Sequence, residues 1–242
     1  MAPTVIVFDG CDFSGKSRII EEIASQAETK GFDIITFTFP YVHHSSFARL
    51  DELHRLPILK HKDFCEEFDQ LTKENLEYGI TEIKKAYDQN KYDLILIERL
   101  HFYYYVSSFM RRLDHFNPNQ SLEENVRSVY NTLPPLEIPF QINLIFIPLK
   151  STNWDEDQLA YFGNNEMPYK FNQKRLEKAV AAYQAIHNIL YPLTMLCYSN
   201  HLIVYLRRTP LFPEFVNDYA IRPTHQDFIM IIEEGHISVL AS

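Results

Sequence analysis

The stretch Thr4–Ser17, TVIVFDGCDFSGKS, constrains the fold more than any other part of the chain. Its apolar, β-branched residues Thr4–Phe8 are typical of a buried strand, which breaks at Gly10. From Gly10 to Ser17 the spacing is Gly-x-x-x-x-Gly-Lys-Ser, that of a phosphate-binding loop. Because this spacing falls where a strand gives way to a helix, we interpret it as a phosphate loop rather than a chance match.

Each residue type in this loop has a physical role in holding a polyphosphate. Glycines let backbone N–H groups point inward, and the following helix adds the positive end of its dipole. We expect Lys16 to contact the outer phosphates and Ser17 to place its hydroxyl on Mg²⁺. The sequence therefore predicts ATP and Mg²⁺ as cofactors, bound by Gly10, Ser14, Gly15, Lys16, Ser17 and Arg18.

Length and charge limit the class of protein. With 242 residues, of which 46% are hydrophobic, the chain can bury the core of a single domain spanning residues 1–242. Its formal net charge of −9 argues against long nucleic acid as a partner, since such proteins present a basic face. A small anionic ligand can still be held by a local cluster of N–H groups and a few cationic side chains.

The cysteines and the hydropathy pattern predict the compartment. Cys11, Cys65 and Cys197 are widely spaced and odd in number, which favours neither a disulfide framework nor a zinc site. The N-terminus has no leader pattern, and no apolar run approaches the ~18 residues of a membrane-spanning helix. We therefore expect a soluble, cytoplasmic protein that does not contact membranes.

Short apolar strands alternate with helical segments along the chain, which predicts an α/β fold. After the first strand, further strands are predicted at Ile34–Phe39, Tyr92–Ile97, Gln141–Ile147 and His201–Leu206, and helices at 18–30, Phe64–Asn90 and Phe171–Leu190. Five such strands would form a parallel sheet with helices on both faces, as in the P-loop NTPase fold. The acidic segment 151–170 is expected to be a lid, and residues 207–242 a C-terminal extension without a recognisable motif.

The loop Phe8–Ser17 resembles that of the thymidylate kinase branch of the nucleotide and nucleoside kinases, which typically reads Phe-Glu-Gly-x-Asp-x-x-Gly-Lys-Ser/Thr. Weaker matches follow in the same order: Phe39-Pro40 after the second strand, Glu98-Arg99 after the third, and Leu133-Pro-Pro before the fourth. The resemblance covers about residues 4 to 206. It implies transfer of phosphate from ATP to a deoxynucleoside monophosphate, dTMP or a related pyrimidine nucleotide, by a homodimer.

The resemblance also implies roles for individual residues. Asp12 would reach toward the sugar of the acceptor, although an aspartate here can instead cap the turn. Glu98 would orient Mg²⁺ through water, and Arg99 would contact the acceptor phosphate. The predicted catalytic residues are thus Lys16, Asp12, Glu98 and Arg99. For substrate binding, Phe39 or one tyrosine of Tyr103–Tyr105 would stack on the base; core packing is the alternative for these rings.

The chain departs from the family pattern at its arginines. After Phe39-Pro40 no arginine follows directly, so His43, His44 or Arg49 would replace it, or the acceptor differs from an ordinary monophosphate. Segment 151–169 contains no Arg or Lys, and the candidates for stabilising the transition state are Arg18, Arg111, Arg112, Lys170 and Arg175.

Three other functions stay open. A deoxynucleoside kinase would also carry the pair Glu98-Arg99, but it needs a carboxylate after the second strand, and Phe37–Val42 has none. A kinase acting on hydroxyls of nucleic acid could use Asp12 as its base. The missing arginines also allow a nucleotide-binding module that has lost catalysis.

Overall fold

The computed structural model describes residues 2–10, 16–56, 63–112 and 115–147, five residues between 181 and 189, and the C-terminal strands given below. The predictions for Asp12, Ser14, Gly15, Lys170 and Arg175 lie outside the described residues, as does the predicted lid at 151–170. Most of the predicted helix Phe171–Leu190 lies outside them too.

The described helices and strands alternate through the N-terminal two thirds of the chain. The strands are β1 (Thr4–Gly10), β2 (Ile34–Thr38), β3 (Leu94–Glu98), β4 (Ile142–Ile147), β5 (Tyr198–Ile203), β6 (Leu206–Arg208), β7 (Pro213–Phe215), β8 (Tyr219–Ile221), β9 (Phe228–Glu233) and β10 (His236–Ala241). The helices are α1 (Lys16–Thr29), α2 (Ser46–Arg55), α3 (Cys65–Gln89), α4 (His101–Arg112) and α5 (Leu122–Thr132). The helix predicted at Phe64–Asn90 agrees with α3 to within one residue at each end.

The main sheet has the strand order β2-β3-β1-β4, with β5 beside β4, and every neighbouring pair is parallel. In this order β1 lies between β3 and β4. Phe8 of β1 and Thr38 of β2 both pair with Glu98 of β3, so the carboxyl ends of these three strands lie side by side. Ligands of open parallel sheets bind at this edge.

Alternate residues of the central strands pack on opposite faces of the sheet, as strand geometry requires. Val5 and Val7 of β1 belong to the larger core cluster, with residues of α3, α4 and α5. Ile6 and Phe8 belong to a second cluster, with α1. The predicted α/β class, a parallel sheet with helices on both faces, is therefore confirmed.

Several elements differ from the sequence prediction. Strand β5 begins at Tyr198 and ends at Ile203, three residues before the predicted bounds at each end. Helices α2 and α5 were not predicted, although the capping-box sequence from Ser121 to Glu124 marks the start of α5. The C-terminal strands were not predicted either.

The C-terminal strands form two small antiparallel sheets, β6 with β7 and β8-β9-β10. In the second sheet β10 lies beside α1. Only residues 234–235 separate β9 from β10, and the second of them is glycine. Two apolar runs joined by so short a glycine-containing link are a hairpin signal in the sequence. Among the described residues, no helix is both long and apolar enough to span a bilayer.

The capping box of α5 gives a testable stability prediction. The Ser121 hydroxyl accepts from the Glu124 N–H at 3.2 Å, and the Glu124 carboxylate accepts from the Ser121 N–H at 2.7 Å. We expect Ser121→Ala to lower the free energy of unfolding by about 1 kcal/mol in chemical denaturation, because a helix N–H loses its acceptor. Ser128→Ala, at an exposed position within the same helix, is the control and should cost nothing. Equal effects of the two substitutions would contradict the prediction.

Candidate functional site

The site lies at the carboxyl edge of the main sheet, where backbone hydrogen bonds join the ends of three neighbouring strands. The Arg99 N–H donates to the Phe8 carbonyl at 2.9 Å, and the Phe39 N–H donates to the Glu98 carbonyl at 3.0 Å. These bonds extend the sheet ladder past the regular strands. They place the acidic–arginine pair between the end of β1 and the loop that follows β2.

Lys16 is the first residue of α1 and reaches back to the end of β1. Its side chain is buried, and its Nζ donates to the Gly10 carbonyl at 3.1 Å. Gly10 has a φ of 135°, which side chains rarely tolerate, so glycine is required where the chain leaves the strand. Gly10 and Lys16 thus lie directly before and after residues 11–15 in the sequence, which include the predicted ligands Asp12, Ser14 and Gly15.

Ser17, Glu98 and Arg99 share one carboxylate oxygen. The Ser17 hydroxyl donates to Oε1 of Glu98 at 2.9 Å, and Nη1 of Arg99 lies 3.1 Å from the same oxygen. Nη1 of Arg99 also lies 3.4 Å from the Phe39 carbonyl. These residues come from α1, β3 and the turn after β3, so the fold brings together the groups that the sequence predicted to act together.

Asp9 is a site residue that the sequence analysis missed. It is fully buried, and its carboxylate accepts from the N–H groups of Gly10 at 2.9 Å, Leu100 at 2.9 Å and Phe102 at 3.1 Å. Desolvation raises the pKa of Asp9, opposed by the hydrogen bonds from Leu100 and Gly10 and by the charges of Lys16 and Arg99. The sequence did contain a signal for Asp9, an aspartate directly after an apolar run within one strand, because charged side chains are rarely buried without partners.

The aromatic side chains proposed to stack on a base lie in the core. Phe39 is fully buried and Tyr103 is 8% exposed, and both belong to the larger core cluster. The ring of Phe39 packs against Gly79 of α3, where a Cβ would lie 2.3 Å from its Cε1 atom. In this structure both rings follow the core-packing alternative.

Arg111 and Arg112, two of the four arginines considered for the transition state, are engaged away from the strand ends. Arg111 donates to the Leu53 carbonyl at 2.9 Å, and Arg112 pairs with Asp69 at 2.6 Å. Both belong to the last turn of α4, whose first turn adjoins the site. They connect α4 to α2 and α3. Arg18 has an exposed side chain one residue after Ser17, and Arg175 lies outside the described residues.

The loop after β2 is held in place by α3. The Asn75 side chain accepts from the Tyr41 N–H at 2.6 Å and donates to the Tyr41 carbonyl at 2.9 Å. Nδ1 of His44 lies 2.8 Å from the Ser46 hydroxyl. Arg49 pairs with Glu52 and Glu67, both at 2.7 Å, and these glutamates raise its pKa. His44 and Arg49, two of the residues predicted to replace the missing arginine, thus have protein partners of their own.

Comparison with known proteins adds no relative. The sequence matches no protein-family model, and no curated protein matches it. The functional interpretation therefore depends on the residues at the strand ends and on their geometry.

Proposed function

We propose that this protein binds ATP with Mg²⁺ and transfers the terminal phosphoryl group to a deoxynucleoside monophosphate, dTMP or a related pyrimidine nucleotide. The observation that carries the proposal is the contact of Ser17 and Arg99 with one carboxylate oxygen of Glu98, beside the buried Lys16. A hydroxyl, a carboxylate and two cations at the end of a strand–turn–helix unit suit phosphoryl transfer, which needs positioning and charge neutralisation. The proposal includes the P-loop NTPase fold, in which β5 would be the fifth strand of the main sheet.

The residues fit a magnesium ion bound together with a nucleotide. Ser17 and Glu98 offer hard oxygen ligands, and Mg²⁺ takes most of its remaining ligands from phosphates and water. Within the described ranges, no group of three or more His, Cys, Asp or Glu side chains is arranged to hold a metal alone. When bound, the ion would neutralise charge on the outer phosphates. Ser17 would supply a direct oxygen ligand, and Glu98 would hold a water of the ion.

The protein's own groups act on both sides of the transferred phosphoryl group. Lys16 holds the outer phosphates of the donor. Arg99 lies on the neighbouring strand end, where its guanidinium can hold the acceptor phosphate in line with the donor. No covalent intermediate on the protein is needed, so Cys11 has no role in the reaction.

An acceptor panel tests the proposal. ADP formation is followed with ATP, Mg²⁺ and, in separate reactions, pyrimidine deoxynucleosides, their monophosphates and short DNA. We expect turnover that depends on a monophosphate. Turnover only with nucleosides would indicate a deoxynucleoside kinase, and turnover only with DNA a kinase of nucleic-acid hydroxyls. Binding of ATP without turnover with any acceptor would indicate a nucleotide-binding module.

A further inference from the structure

We infer that Asp9 is a positioning residue that sets the conformation of Arg99 and so places its guanidinium beside Glu98. The inference rests on the proposed function, in which Arg99 holds the acceptor phosphate. Asp9 itself is fully buried, so it cannot contact a ligand directly. Its effect would therefore pass through the backbone of the residues that follow β3.

Arg99 has an unusual backbone conformation for a residue with a side chain. Its φ is 63°, in the left-handed region, where the Cβ of an L-residue comes too close to the carbonyl oxygen. In the described residues the only other non-glycine position with positive φ is Asn90, which ends α3. Asparagine at a helix end tolerates this region because its short polar side chain can bond to nearby backbone, whereas arginine is not among the residues that adopt it routinely. Surrounding contacts must therefore hold Arg99 there.

Two successive residues of β1 hold the backbone on either side of Arg99. The Arg99 N–H donates to the Phe8 carbonyl at 2.9 Å, and the next N–H, that of Leu100, donates to the Asp9 carboxylate at 2.9 Å. The same carboxylate oxygen accepts from Phe102 at 3.1 Å, in the first turn of α4. Both peptide groups that flank Arg99 are thus fixed to β1, one by backbone and one by the Asp9 side chain.

Asp9 also contacts the start of the phosphate loop. Its other carboxylate oxygen accepts from the Gly10 N–H at 2.9 Å. One buried side chain therefore joins the backbone that leads to Lys16 and the backbone that carries Arg99. A shift of about 1 Å in a positioning group can lower a rate about 100-fold, so this junction is important for the proposed transfer.

A crystal structure of the Asp9→Ala variant tests the inference without depending on turnover. Alanine leaves all three N–H groups without this acceptor, whereas the amide oxygen of an asparagine could keep the bonds from Leu100 and Phe102. We expect Arg99 to leave the left-handed region and its 3.1 Å contact with Glu98 to be lost. An Arg99 conformation unchanged in the variant would overturn the inference. If Asp9→Ala does not fold, Asp9→Ser serves instead, because its shorter side chain cannot reach the N–H groups of both Leu100 and Phe102.

A double-mutant cycle separates positioning from general stability. We expect Asp9→Ala to lower kcat for acceptor-dependent turnover about 100-fold in the parent, and by a clearly smaller factor when Arg99 is already alanine, because only the contact with the Gly10 N–H is then left to act. Asp9→Glu keeps the carboxylate and should retain more activity than Asp9→Ala. Equal losses in both backgrounds would show that Asp9 does not act through Arg99. If the parent has no acceptor-dependent turnover, the proposed function fails, while the crystal structures still decide whether Asp9 sets Arg99.

Discussion

Replacing Lys16 by alanine is expected to reduce acceptor-dependent ADP formation by at least about 100- to 1,000-fold, the cost of removing one preorganised donor from a water-excluded site. The ammonium of Lys16 is buried and directed at the end of β1, 3.1 Å from the Gly10 carbonyl. In this position it can reach the outer phosphates, which alanine cannot. Initial rates with ATP, Mg²⁺ and the active monophosphate measure the loss.

The control for this prediction is Lys30→Ala. Lys30 directly follows the last residue of α1, at the opposite end of the helix from Lys16, and its side chain is exposed. It should therefore keep the parental rate. Thermal unfolding of both variants separates a loss of activity from a loss of folded protein. A Lys16→Ala variant that is folded and turns over at the parental rate would remove Lys16 from the mechanism.

The second large effect is expected at Gly79, in the middle of α3. A Cβ there would lie 2.3 Å from Cε1 and 2.5 Å from Cζ of Phe39, whose ring is fully buried and cannot move into solvent. Overpacking of this kind costs about 1–3 kcal/mol, and the severe overlap places Gly79→Ala in the upper part of that range. Alanine regains up to about 1 kcal/mol of helix propensity. We therefore expect a net loss of about 2 kcal/mol in the free energy of unfolding.

Two comparisons make this prediction specific. In a Phe39→Leu background the outer ring atoms are gone, so Gly79→Ala should cost much less than in the parent. Gly31→Ala tests a different cause, because Gly31 has a φ of 85° with no atom within 4 Å of the added Cβ. Its cost should be the same in both backgrounds. A Gly79→Ala cost that does not depend on residue 39 would contradict the close packing.

The sequence predicted those elements whose residues follow one dominant pattern. Val5–Phe8 of β1 and Leu94–Ile97 of β3 are continuous apolar runs buried on both faces, and α3 has a long helical period, so the existence of these elements was clear. Helix α2 was missed because it is short and polar, with four charged residues among ten, and buries only Ser46, Leu50 and Leu53. Strands β6, β7 and β8 have three residues each, too few to show the two-residue period of a strand, whereas the link between β9 and β10 is a hairpin signal that was not used.

At the site, sequence reasoning identified residues by type but not by depth. The loop spacing and the acidic–arginine pair led to Lys16, Ser17 and Glu98, which the fold brings together. Sequence reasoning could not decide that the Phe39 ring is buried, because its burial depends on Gly79, which lies about 40 residues later in α3. Asp9 was missed for a related reason, since two of its three partners are the N–H groups of Leu100 and Phe102, about 90 residues later in the chain.

The charged groups at the strand ends also affect how an anionic ligand would arrive. Asp9, Lys16, Glu98 and Arg99 have formal charges that cancel, within a chain of net charge −9. Long-range attraction therefore cannot steer a nucleotide toward this edge, and the overall field opposes its approach. Added salt should screen that repulsion and speed association, leaving recognition to short-range contacts made after the ligand has reached the sheet.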